Sequence, residues 1–151
     1  YLGAMRVGHG IRSVDDPALL AQIVDAGVTL EACPASNVSM GVYARAADVP
    51  LRSLIDAGAH VALGADDPLL FGSRLVDQYE IARQVHGCTD GELAALARWS
   101  VQDSAAPLDT KTRLLAGIDD WLGAPVATGG RRSGPSPGEY VHHQACTPGD
   151  V

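Results

Sequence analysis

The sequence predicts an α/β fold of parallel strands joined by right-handed helical crossovers. Strand-like and helix-like segments alternate over residues 1–123. One unit is used twice, because Ile-Val-Asp-Ala-Gly-Val at residues 23–28 is echoed by Leu-Ile-Asp-Ala-Gly-Ala at residues 54–59, and a strand-like segment follows each. About three strands are few for a sheet that must be covered on both faces. We therefore expect part of the fold to lie outside this sequence.

The first predicted strand covers residues 6–11 and contains the tripeptide Gly-His-Gly. A helix is predicted over residues 16–26, where apolar side chains recur at helical spacing. Pro17 suits its first turn, and Gly27 suits a left-handed helix end. The second strand is predicted at residues 28–33.

The remaining elements follow the same alternation. A helix closed by Gly58 precedes a short apolar strand, and three further helices complete the ordered part. Thr89 and Glu92 form a capping box for the middle one of these three, and Thr110 is a candidate cap for the last. The predicted ranges are 49–57 for the first helix, 61–63 for the strand, and 74–85, 90–104 and 111–122 for the last helices.

A change of composition at about residue 123 divides the chain into residues 1–123 and residues 124–151. From residue 124 onward there is no Leu, Ile, Phe or Met, and Gly and Pro are frequent. Such a segment buries too little apolar surface to offset the entropy of ordering, so a disordered tail is predicted. The tail residues His142, His143 and Cys146 are interpreted as solvated rather than as metal ligands.

The formal net charge of −7 argues against nucleic acid or an anionic membrane as the main partner, since both require a basic face. No apolar run reaches the roughly 18 residues of a membrane span, and no signal peptide is recognisable. The three cysteines are far apart and form no Cys-x-x-Cys pair, which argues against a disulfide framework and against a cysteine zinc site. A reducing, cytoplasmic setting fits best.

Polar residues follow all three predicted strands. His9 lies at the end of the first, Pro34-Ala35-Ser36-Asn37 follows the second, and Asp66-Asp67-Pro68 follows the third. Parallel strands bring these ends together, and that end is where α/β folds build their sites. His60 and His86 lie elsewhere and receive no role.

The two adjacent carboxylates repel unless a cation lies between them, so a metal bound through one is a natural interpretation. An Asx turn with a helix cap is the alternative. His9, with small neighbours on both sides, either opens into a pocket or is a turn histidine bonded to nearby backbone.

Together these segments resemble the adenosine deaminase family. Arg-Val-Gly-His-Gly-Ile at residues 6–11 looks like its sixth barrel strand, and Glu-Ala-Cys-Pro-Ala-Ser-Asn at residues 31–37 looks like its seventh. Leu-Gly-Ala-Asp-Asp-Pro-Leu-Leu-Phe at residues 63–71 looks like its eighth. The resemblance, which covers residues 6–122, implies the carboxy-terminal part of a (β/α)8 TIM barrel.

The resemblance also implies roles. His9 matches the histidine that orients and helps activate the metal-bound hydroxide, Asp66 matches the aspartate ligand of the catalytic Zn²⁺, and Asp67 matches the aspartate that contacts purine N7. The family's His-x-His pair and His-Ala-Gly-Glu segment do not occur here. Gly64-Ala65 also stands where many relatives have Asn-Thr or Ser-Thr.

The function so implied is part of a zinc-dependent deaminase that converts adenosine, a small purine nucleoside, to inosine and ammonia. The isolated chain is expected to bind zinc poorly and to be inactive, because only one family ligand is present. Another 6-aminopurine, such as aminodeoxyfutalosine or adenine, is the alternative substrate. A non-catalytic truncated gene product is the alternative from a different class.

Overall fold

The computed structural model describes residues 3–124, in which three strands form one parallel sheet of order β1-β2-β3. The strands are β1 Arg6–Gly8, β2 Thr29–Ala32 and β3 Val61–Leu63. Arg6 pairs with Thr29, and Leu30 pairs with Val61. The predicted parallel α/β arrangement is confirmed.

Helices connect and cover the strands in the predicted alternation. Asp16 caps the first, because its side chain accepts hydrogen bonds of 3.0 Å from the backbone N–H groups of Ala18 and Leu19. The α-helices are α1 Pro17–Asp25, α2 Pro34–Ser39, α3 Leu51–Asp56, α4 Pro68–Phe71, α5 Leu75–Gln84, α6 Asp90–Gln102 and α7 Leu108–Gly123. Short 3-10 helices span Gly10–Asp15 and Ala46–Asp48.

Three local predictions need correction. The first strand ends at Gly8 rather than at residue 11, because His9 adopts a left-handed conformation and a 3-10 helix follows. The last helix begins at Leu108 with Pro107 as its N-cap, so Thr110 lies inside the first turn and does not cap it. The short helices α2 and α4 were not predicted, although each begins at a proline that suits a first helical turn.

The capping box at Thr89 is confirmed. Its hydroxyl accepts a hydrogen bond of 3.3 Å from the Glu92 N–H, and the Glu92 carboxylate accepts one of 2.8 Å from the Thr89 N–H. Two N–H groups that the helix leaves without an internal partner are satisfied in this way.

The core lies where β2 and β3 meet the helices. Leu30 and Ala32 pair with Val61 and Leu63, and all four are buried. The helices add five buried leucines to the same cluster: Leu20 from α1, Leu51 and Leu54 from α3, and Leu93 and Leu96 from α6. Each buried leucine contributes roughly 1.5–3 kcal/mol relative to an exposed one, so this cluster holds the strand ends in place.

Gly10 offers a test of how tightly the core meets the end of β1. A Cβ at Gly10 would stand 2.6 Å from Cδ2 of Leu30, which is fully buried. We expect Gly10→Ala to lower the free energy of unfolding by about 1–3 kcal/mol through overpacking, measured by urea denaturation of the chain.

Gly117→Ala is the matched control. No atom lies within 4 Å of the position that its Cβ would take, and the residue is inside α7. Alanine should therefore raise stability by roughly 0.5–1 kcal/mol through helix propensity. Equal stability of the Gly10→Ala and wild-type chains would show that Leu30 is not fixed by its neighbours.

Within residues 3–124, β1 and β3 each pair along one edge only. An unpaired edge presents free N–H and C=O groups, as expected if further strands normally pair there. No helix in this part of the chain is long and apolar enough to cross a membrane. The predicted disordered tail covers residues 124–151, of which residues 125–151, with His142, His143 and Cys146, lie outside the described part.

Candidate metal and catalytic site

Three side chains converge at the carboxyl ends of the three parallel strands. His9 follows β1, Cys33 follows β2 and Asp66 lies beyond β3. His9 Nε2 is 3.5 Å from Asp66 Oδ2, and one donor atom from each of the three residues lies within 4.8 Å of the others. The predicted meeting of His9 and Asp66 is thus observed, although they are far apart in sequence.

The backbone at both residues is unusual. His9 has φ 54° and Asp66 has φ 59°, and they are the two non-glycine residues with positive φ among residues 3–124. A side chain in this region costs of order 1–3 kcal/mol, and such strain collects at active sites and ligand clamps. The surrounding fold therefore imposes the conformations that place the imidazole and the carboxylate opposite each other.

Asp67 makes its hydrogen bonds outside the cluster of His9, Cys33 and Asp66. Its Oδ1 accepts hydrogen bonds from the N–H groups of Leu69 at 3.0 Å and Leu70 at 2.9 Å, so it caps α4. The helix-cap interpretation of this aspartate is correct. The cap uses one carboxylate oxygen and fixes the direction of the other.

The sequence analysis gave Cys33 no role, because it argued against a cysteine metal site, although Cys33 is the last residue of the second predicted strand. Its side chain is buried, and burial raises the pKa of the thiol to about 11, with further contributions from the charges of Asp66 and Glu31. A Cβ at Gly64 would stand only 3.1 Å from Cys33 Sγ, so the glycine allows close approach of the two strand ends.

A buried polar network supports the segment after β2. Gln78 of α5 is fully buried, its Oε1 accepts a hydrogen bond of 3.0 Å from the Ala35 N–H, and its Nε2 donates one of 2.7 Å to Ser73 Oγ. Ser36 Oγ donates one of 3.1 Å to the Cys33 carbonyl. These bonds tie α5 to the turn that carries Cys33. No sequence signal distinguishes Gln78 from any other helical glutamine.

The other two histidines of the described part lie away from this cluster. His60 stacks on Trp99 with ring centroids 3.4 Å apart, at the entry to β3 rather than at its exit. His86 follows α5, and burial lowers the pKa of its imidazole. Neither belongs to the metal-ligand cluster.

An apolar groove of about 630 Å³ lies between α5, α6 and α7, and its lining includes Tyr79, Ala97 and Trp121 but none of the strand-end residues. The apolar groove and the cluster of possible metal ligands therefore lie in different parts of the fold. We place the site at the strand ends, because only there do an imidazole, a thiol and a carboxylate face one another within residues 3–124.

His9 and Asp66 together suit a divalent cation. Zinc ligands at about 2.0–2.3 Å from the ion lie roughly 3.3–3.8 Å from one another in tetrahedral geometry. The 3.5 Å between His9 Nε2 and Asp66 Oδ2 falls within that range. An ion held by Asp66 would therefore have the His9 imidazole beside it.

Known proteins resemble this chain over the same part. A family model described as adenosine deaminase matches residues 1–121. A provisionally named adenosine/adenine deaminase of Streptomyces coelicolor is 64% identical over 121 residues, which are 80% of this chain and 35% of that protein.

Solved structures show the same fold. An adenine deaminase from Arthrobacter aurescens has a TM-score of 0.76 and 33% identity, covering 80% of this chain and 37% of that one. An amidohydrolase from Burkholderia ambifaria, solved with bound Zn, has a TM-score of 0.68 at 22% identity over 78% of this chain and 33% of that one. The chain thus spans about a third of the length of the proteins it matches.

Proposed function

This chain belongs to the adenosine deaminase family, and on that premise we propose that it is the carboxy-terminal part of a zinc-dependent hydrolytic deaminase of a 6-aminopurine. The observation that carries the proposal is the approach of His9 Nε2 to within 3.5 Å of Asp66 Oδ2 at the strand ends. A cytoplasmic setting and a small-molecule substrate, rather than nucleic acid or a membrane, belong to the same proposal and rest on the net charge of −7 and the separated cysteines.

Asp66 would hold the metal ion. Its carboxylate is the type of oxygen donor that zinc accepts, and the family resemblance assigns the remaining ligands to histidines that this sequence does not contain. Zinc, when bound, supplies a Lewis acid that lowers the pKa of water to near ~7. The bound Zn of the amidohydrolase from Burkholderia ambifaria supports the choice of metal.

His9 would act on the attacking water. Its Nε2 faces the Asp66 carboxylate from the neighbouring strand end, so a water held beside Asp66 comes within hydrogen-bond reach of the imidazole. The imidazole then orients the water and moves a proton. The strained backbone at φ 54° supports this role, because such strain collects at active sites and ligand clamps.

Asp67 would bind the substrate. The cap at α4 occupies Oδ1 and leaves Oδ2 as an acceptor for a protonated purine ring nitrogen, which the resemblance identifies as N7. In the reaction, water adds its oxygen at C6 of the purine, the C6–N bond breaks, and the amino group leaves as ammonia.

We propose adenine as the substrate, which the name of the Arthrobacter aurescens structure, an adenine deaminase at 33% identity, supports. Adenosine, the first expectation from the sequence, is the second candidate, since the name of the Streptomyces coelicolor relative includes both. The two differ by a ribose at N9, which strands outside this sequence would contact.

The test is a chimera in which residues 1–121 of this chain replace the matching 121 residues of the Streptomyces coelicolor relative. We expect ammonia release from adenine, with a kcat/KM higher than for adenosine, and one zinc ion per chain. The unmodified relative is the positive control. A folded chimera that deaminates neither compound, beside an active relative, would contradict the proposal.

The isolated 151-residue chain should release no ammonia from adenine or adenosine above the uncatalysed background. Catalytic zinc sites use about three protein ligands and a positioned acid–base group, and the family's histidine ligands and glutamate are not in this sequence. The measurement is an ammonia assay with zinc supplied in excess. Turnover by the isolated chain would show that the missing segments are not needed.

A further inference from the structure

The strand-end cluster contains a third donor that the deaminase roles leave unused. Cys33 Sγ lies within 4.8 Å of donor atoms of both His9 and Asp66, and the side chain is only 6% exposed. It lies at the end of β2, between the strand ends that carry the other two residues. One thiol, one imidazole and one carboxylate thus converge from three strand ends within this chain.

The geometry is close to that of a tetrahedral site. Ligands of one zinc ion lie roughly 3.3–3.8 Å apart, and His9 and Asp66 already meet this at 3.5 Å. The donor atoms of all three residues lie within 4.8 Å of one another, so the longest of these distances would have to shorten by about 1 Å to reach the range for zinc ligands. Side-chain rotation at His9 and Asp66 can close it, because both residues are exposed.

The donor types select the cation. Thiolate and imidazole favour zinc, cobalt and cadmium, whereas magnesium and calcium take oxygen ligands. Catalytic zinc sites also have three protein ligands and an open fourth position.

We propose that His9, Cys33 and Asp66 form a three-donor site for a thiophilic divalent cation, held entirely by this chain. It differs from the proposed catalytic metal site, with which it shares only Asp66, so the two cannot be filled at once. It does not depend on deaminase activity. It also revises the expectation that the isolated chain binds zinc poorly, which counted Asp66 alone.

Binding replaces the S–H bond of Cys33 with a sulfur–metal bond, and the proton passes to the buffer. No oxidation state changes. Cobalt(II) is a suitable probe, because a thiolate–cobalt bond gives a charge-transfer absorption that oxygen and nitrogen ligands alone do not give.

The experiment is a Co²⁺ titration of the 151-residue chain, reduced and without oxygen, in a background carrying H142N, H143N and C146S. These changes remove the imidazole and thiol donors of the tail. We expect a charge-transfer band that saturates at one equivalent, is abolished by Cd²⁺ and is unaffected by excess Mg²⁺.

Single substitutions assign the donors. Cys33→Ser should abolish the band, and His9→Asn and Asp66→Asn should each weaken Co²⁺ binding by at least about 10-fold, since even partners outside the ligand shell are worth that much. Cys88→Ser is the matched control, because Cys88 is equally buried and free but lies outside the cluster. It should leave the band unchanged.

An absent band in the parent chain would overturn the proposal. So would a band that survives Cys33→Ser or disappears in Cys88→Ser. If the circular dichroism spectrum of Cys33→Ser shows that the variant is unfolded, His9→Asn and Asp66→Asn decide the question, because neither replaced side chain is buried and asparagine tolerates positive φ. Unchanged Co²⁺ affinity in both would then reject the site. Rejection of this three-donor site would not reject the proposed deaminase function, because that function is tested separately by ammonia release from the chimera.

Discussion

Asp66→Asn in the chimera is expected to abolish both zinc binding and turnover. The carboxylate is the one ligand that this chain supplies to the proposed catalytic ion, and an amide is a far weaker zinc ligand than a carboxylate. Asparagine preserves shape and tolerates the φ of 59° at this position, so the fold should survive. Zinc content by atomic absorption and ammonia release are the two measurements.

Asp67→Asn is the matched control, because it replaces the neighbouring carboxylate in the same way. The amide oxygen can keep the cap to the N–H groups of Leu69 and Leu70, while the other position changes from an acceptor to a donor. We expect Asp67→Asn to keep its zinc and its thermal stability while turnover falls. Full zinc in Asp66→Asn, or normal turnover in Asp67→Asn, would show that the two aspartates are wrongly assigned.

His9→Asn in the chimera should reduce turnover by about 10²–10⁴, the usual effect of losing a positioned acid–base group. Zinc should largely remain, because His9 faces the ligand Asp66 rather than supplying a family ligand itself, although affinity can fall by ~10- to 100-fold. Asparagine tolerates the left-handed backbone at φ 54°, which separates the loss of the imidazole from a folding defect.

The measurement for His9→Asn is kcat as a function of pH with zinc content determined on the same sample. A protein from which a proton-transfer group has been removed should also lose one limb of its pH–rate profile. A variant that retains the wild-type kcat would remove His9 from the mechanism. A variant without zinc would place His9 among the metal ligands.

The end of β1 depends on more than its own sequence. Apolar spacing and the Gly-His-Gly tripeptide located the strand but extended it through residue 11. The chain turns at His9, and the following Gly10 packs so closely on Leu30 of β2 that a Cβ there would stand 2.6 Å from Leu30 Cδ2. Such a limit depends on a neighbour that is remote in sequence.

The helix ends also differ in whether the local sequence alone predicts them. Thr89 and Glu92 form their capping box within four residues, so the sequence was sufficient. Thr110 looked like a cap but lies inside α7, which begins at Leu108 after Pro107. A threonine that caps and one that continues a helix have the same local sequence signal, and only the packing of the helix decides between them.

The sequence by itself determined the parallel α/β class and the family, and it identified His9, Asp66 and Asp67 as the residues of interest, because strand periodicity and motif order are local properties. Only the tertiary structure decided which of these residues face one another. It placed Asp66 against His9 and brought Cys33 into the cluster, whereas the cap that Asp67 forms on α4 is local and was among the alternatives that the sequence offered. Those outcomes depend on strand register and on two strained backbone positions, which the whole fold imposes and no short segment encodes.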